Sequence, residues 1–142
     1  GSWSDFLNNL ETINRLDHKI SFNMLHFILN YQSIFGCVDF LKSLGFHNNS
    51  FIIGPLLNPD YLNIRHLPDN VLNSVQETLE QRISASPGFL LEDSYKNMLN
   101  YIQQPISKNF DESLRQLAEL DRRRNLNSRK TFKNLYKEIN HG

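Results

Sequence analysis

The chain has 142 residues, 39% of them hydrophobic, which is enough for one domain with a core and too few for two. Its 15 basic and 15 acidic side chains cancel, so no overall field marks it for nucleic acid, an anionic membrane or an acidic substrate. A single cysteine, Cys37, excludes an internal disulfide and any cysteine-only zinc or iron–sulfur site built from this chain alone. The neutral total hides a gradient. Residues 1–120 hold 8 basic and 13 acidic side chains, a balance of −5, and residues 121–142 hold 7 and 2, a balance of +5. No apolar run approaches the ~20 residues that cross a bilayer, and the composition is that of a cytosolic protein. The opening Gly1-Ser2, without an initiating Met, suggests a chain cut from a longer one.

Along the chain, Phe6, Leu7, Leu10, Ile13 and Leu16 recur at helical spacing, with Ser2 placed to cap and Asp5 in the first turn. Ile20 to Leu29 is an apolar run with little polar relief, as expected of a strand covered on both faces. Tyr31, Ile34, Phe35, Val38, Leu41 and Leu44 restore the helical period, and Gly45 stands where a left-handed C-cap residue belongs. Phe51 to Pro55 is short, β-branched and stopped by the turn pair Gly54-Pro55, so it reads as a second strand. A parallel pair needs a crossover of about a dozen residues, and the intervening helix supplies it.

Pro68 sits at the first position of the next helix, marked by Leu72, Val75, Leu79 and Ile83 and stopped by Ser86-Pro87-Gly88. Three further helices follow, on Tyr95, Met98, Leu99 and Ile102, on Phe110, Leu114, Leu117 and Leu120, and on Phe132, Leu135, Tyr136 and Ile139. The fold class is helix-rich α/β. Residues 1–68 form β/α units and residues 69–142 a helical extension, together one compact domain. Two strands alone leave open edges, which predicts self-association by edge pairing or exchange of elements.

Five histidines, His18, His26, His47, His66 and His141, show no metal-site spacing, and His26 is expected to pack in the core with its ring nitrogens satisfied. Cys37 falls on the apolar side of its helix, which favours a buried, inert thiol. The pairs Glu92-Asp93 and Asp111-Glu112 lie near helix starts, where the dipole explains them without catalysis. The four single glycines Gly36, Gly45, Gly54 and Gly88 lack the spacing of a phosphate loop. Asp121-Arg122-Arg123-Arg124, with Arg129, Lys130, Lys133 and Lys137, reads as a solvated helix face before it reads as a nucleic-acid grip. In parallel sheets ligands sit beyond the C-terminal strand ends, here Asn30 and Gly54-Pro55. Ser21 and Asn23 share one face of the first strand, and Ile20, Phe22 and Met24 the other, so a polar lumen with an apolar back is one reading. Asn30 acting simply as the cap of the following helix is the competing one.

The segments Trp3-Ser4-Asp5-Phe6-Leu7-Asn8-Asn9-Leu10, the strand to Leu29-Asn30 and Gly54-Pro55-Leu56-Leu57 resemble the later barrel part of twitch-type radical-SAM proteins. Tyr61 to Pro68 is similar to their segment after the sixth strand, and Leu120 to Arg124 with Phe132 to Leu135 to their closing pattern. Lys133-Asn134 stands where that pattern has Pro-Glu. The resemblance implies an incomplete parallel βα-barrel segment of two to three strands, in a parent that binds S-adenosylmethionine and a [4Fe–4S] cluster and acts on a peptide or small molecule. It implies cofactor contacts at Ser21, Asn23 and Asn30 near the ribose and at Ile53 and Gly54 near the adenine. The cluster's CxxxCxxC motif is absent, so the chain itself carries no catalytic or metal-ligating residue and would be a silent wall of that barrel. The alternative is a free-standing α-rich interaction module whose basic C-terminal helix binds an acidic protein or RNA.

Overall fold

A computed structural model describes residues 2–15 and 19–140. Leu16, His18 and His141 lie outside the described residues. Helix α1 (Trp3–Arg15) opens with a reciprocal cap: Asp5 N–H donates to Ser2 Oγ and Ser2 N–H donates to Asp5 Oδ2 (2.8 Å). Strand β1 (Phe22–His26) and strand β2 (Phe51–Pro55) pair in parallel, with Phe22 opposite Phe51 and His26 opposite Pro55. The crossover between them is α2 (Ser33–Ser43), which Gly45 terminates at φ +97°, a conformation that suits a residue without Cβ.

Helices α3 (Asp69–Ala85), α4 (Leu90–Gln103), α5 (Phe110–Arg124), α6 (Ser128–Thr131) and α7 (Lys133–Asn140) complete the chain. One continuous core runs from Leu10 to Leu135 and joins the two halves. Its centre is the face of the sheet that meets α2 and α4. Phe51 and Val38 are fully buried there, and Ile53 nearly so. Phe22 stacks on Phe51 and meets the Phe46 ring edge-on at 4.8 Å. Arg82 on α3 reaches Asp39 on α2 with two hydrogen bonds of 2.8 and 2.7 Å, tying these helices at their rim. Tyr31 O–H donates to Glu138 Oε2 at 2.6 Å and fastens α7 back to the start of α2.

Four expectations need correction. The first strand is shorter than the apolar run, because Ile28–Asn30 wind into a 3-10 turn. It is covered on one face only: Leu25 is 53% and Ile52 46% exposed on the other. Cys37 is exposed, one step off the buried stripe of Ile34, Phe35, Val38 and Leu41. Pro68 precedes α3 rather than beginning it, and its carbonyl accepts from the N–H groups of Val71 and Leu72. The last predicted helix stands as α7, and a further short helix, α6, precedes it at Ser128–Thr131.

Candidate functional site

The sheet has one face packed on helices and one bare. On the bare face Asn23 stands opposite Ile52 and Leu25 opposite Gly54, so an amide, two aliphatic side chains and an open patch of backbone form a small platform. A Cβ built at Gly54 meets nothing within 4 Å. Ser21 is exposed just ahead of β1, on the Asn23 side by alternation. Ile53 instead points into the core at 4% exposure, which leaves only its backbone near the platform.

Asn30 does not cap α2. Helix α2 is flanked by Gln32, whose side chain makes no capping bond. The Asn30 amide folds back on β1: Nδ2 donates to Leu25 O at 2.7 Å, and Oδ1 accepts from Phe27 N–H at 2.8 Å. Those two backbone groups are what a parallel neighbour would bond with one of its peptides, so Asn30 imitates one residue of a strand at that edge.

The outer edge of β2 is closed differently. Ile53 N–H donates to Ser94 Oγ on α4 at 3.1 Å, and Pro55 has no N–H to offer. The outward groups around Asn23, from Ser21 C=O to Leu25 N–H, bond nothing among the described residues. The outer side of β2 is therefore covered by α4 and bonded to it at Ile53, and the edge of β1 is open over a short stretch.

Groups suited to acid–base chemistry are engaged elsewhere. His26 is 1% exposed, donates from Nε2 to Tyr31 O at 2.9 Å, and is driven by burial from an ordinary value of 6.5 to about 4, so it is neutral at pH 7. The packed core position expected for it holds. His66 accepts Asn109 N–H at Nδ1 (3.1 Å), which puts its proton on Nε2, directed at Asp60 Oδ2 (3.0 Å). With both ring nitrogens used, His66 is a staple between the 60–66 loop and the start of α5. The small cleft of about 240 Å³ beside it is lined by Tyr61, Glu112 and Gln116.

A wider basin of about 1200 Å³ lies at the opposite, N-terminal ends of the strands. Lys19, Lys42, His47 and Asn48 line it with Phe89 and Leu90, a juxtaposition of distant residues without a local sequence signal. Among the described residues no three of His, Cys, Asp and Glu come together as metal ligands. The three thiolates of a cluster have no source in a chain whose one cysteine is exposed on α2, so no cluster chemistry belongs to it. Arg122 and Arg123 both pair with Glu119, at 2.7 Å each, which neutralises part of the basic run. Among the described residues no helix is long and apolar enough to cross a membrane. No protein-family model, curated protein or solved structure matches the chain.

Proposed function

We propose that the chain is the closing wall of a radical-SAM-type partial βα barrel, contributing the last two parallel strands and a helical buttress and performing no chemistry by itself. The observation that supports this most is the asymmetry of the sheet. Helices cover one face, the other is bare, β2 is covered at its outer edge by α4 and bonded to it through Ser94, and β1 is open around Asn23. A last barrel strand needs a closed outer edge, and the strand before it needs a free one for its next neighbour. The bare face would then line the lumen.

In that reading Asn23 and Gly54 are the cofactor-facing pair, with Ser21 beside them. The amide supplies donors and an acceptor for hydroxyl groups, and the glycine lets a flat ring approach the backbone. Ile53 contributes main chain alone, and Asn30 fixes the strand end that presents the others. Peptide or small-molecule substrate specificity belongs to the whole parent. The same open stretch of β1 is where two copies of the isolated chain would pair.

The test is to sequence the encoding DNA upstream of Gly1. An in-frame Cys-x3-Cys-x2-Cys motif supports the reading. An in-frame stop followed by a start codon at this point overturns it and favours the free-standing interaction module.

A further inference from the structure

Two arginines of the described residues are partly buried, Arg65 and Arg82; every other Lys and Arg there is exposed. Both lie over an aromatic ring, Arg82 over Phe35 at 4.9 Å and Arg65 over Tyr101 at 4.3 Å. Arg82 also has a carboxylate, held in a two-pronged pair by Asp39. Arg65 forms no ion pair among the described residues, and its Nε is shut away from water without a hydrogen-bond partner. Such a guanidinium lacks the counter-charge that Asp39 gives Arg82, and an anion at its Nη groups would supply it.

The surroundings fix it in place. Asn63, 3% exposed, accepts Arg65 N–H at Oδ1 (3.1 Å), and its Nδ2 donates to Tyr101 Oη at 2.8 Å. Because Tyr101 accepts from Asn63, its own hydroxyl proton is free to donate. Arg65 and Tyr101 thus present donors of one kind, side by side, with Asn63 holding both.

Their place in the fold follows from α4. Leu90 N–H bonds Asn49 just before β2, and Ser94 bonds Ile53 in its middle, so α4 runs beside β2 in the same direction. Tyr101 is two turns beyond Ser94, about 10 Å along the helix axis, whereas β2 ends two residues after Ile53, about 7 Å on. Tyr101 therefore lies past the C-terminal end of β2, the end at which parallel α/β sheets take ligands.

We infer that Arg65 and Tyr101, positioned by Asn63, form a binding site for a carboxylate or phosphate group at the C-terminal end of β2. The site does not depend on the barrel reading; it stands on the unpaired guanidinium and its neighbours. An anion there takes the place that Asp39 has beside Arg82. The planar fork of Arg65 bonds two of its oxygens, and Tyr101 Oη donates to one of them.

The experiment follows the Arg65 side-chain Nε–Hε signal by 15N NMR on the full chain while acetate or methyl phosphate is added against constant chloride. A saturable shift is expected, and whichever titrant acts at lower concentration identifies the anion class. Arg65→Lys keeps the charge and loses the fork, so the affinity, read then from the Tyr101 ring signals, falls roughly tenfold. Tyr101→Phe keeps the stacked ring and loses the donor, and weakens binding by a smaller factor. Thermal unfolding in anion-free buffer checks that both variants fold. An Arg65 signal that ignores both anions, or follows ionic strength alone, overturns the site, whatever the DNA upstream encodes.

Discussion

Helices α1 and α4 carry equally clear apolar stripes, yet they are held very differently. Helix α4 buries Leu91, Tyr95, Met98 and Ile102 against the sheet and α3, and its Ser94 reaches into β2. Of α1 only Leu10 is buried; Trp3, Phe6 and Ile13 stay 61, 41 and 39% exposed, and Trp3 stacks on Phe6 beside Phe40. A helical period says which face is apolar. How much of that face is covered depends on what the rest of the fold brings to it, and here the sheet and α3 meet α4 while α1 meets one corner of α2.

The difference can be broken first at α4. Met98→Ala empties a fully buried position in the core and should cost about 3 kcal/mol, seen as a lower midpoint in urea unfolding at an unchanged slope. A loss under about 1 kcal/mol would mean that α4 is as loosely held as α1. Acid should attack the same core through His26. The native ring resists protonation down to about pH 4, while the unfolded ring takes its proton near 6.5. Stability from this residue is present above about pH 6.5 and is lost as pH falls toward 4, by about 3 kcal/mol in all. His26→Gln should flatten that part of the stability–pH curve, and an undiminished slope in the variant would assign the effect to another group.

Finer contrasts come from single contacts. Ser94→Ala leaves Ile53 N–H buried without a partner and should cost about 1–2 kcal/mol, with faster amide exchange at Ile53. Asn23 N–H, on the unplugged edge, should exchange quickly in the unsubstituted chain and be indifferent to that change. Smallest of all, Trp3→Ala should shift stability by less than about 0.5 kcal/mol, since the ring is mostly in water already. A larger effect in dilute solution would show that α1 is packed more firmly than its exposure indicates.

Much of this was legible in the chain. The second strand is where Phe51–Pro55 placed it, Gly45 ends α2, and Ser2 caps α1. What stayed hidden depends on partners. The run through Leu29 looked extended because apolar composition cannot show that Asn30 will turn back and bond Leu25 and Phe27. Cys37 lies three residues after buried Ile34, but the helix rests on its Ile34–Val38 spacing, so the thiol falls at the margin. Five residues were candidates for cofactor contact; Ser21, Asn23 and Gly54 stand on the open side, and Ile53 and Asn30 have their side chains engaged elsewhere. Arg65 escaped notice because its meaning is relational. A lone arginine in a loop is ordinary until Tyr101, 36 positions later, is seen beneath it.

The Asn30 amide has a geometric consequence for anything that joins the sheet. It occupies the rung between Leu25 and Phe27, so an incoming strand can bond β1 only from Ser21 to Leu25 and must end short of Phe27. Such a strand is displaced toward the N-terminal end of β1 relative to the β1–β2 pair. A single side chain thus acts as a doorstop that limits how far along β1 any added strand can pair.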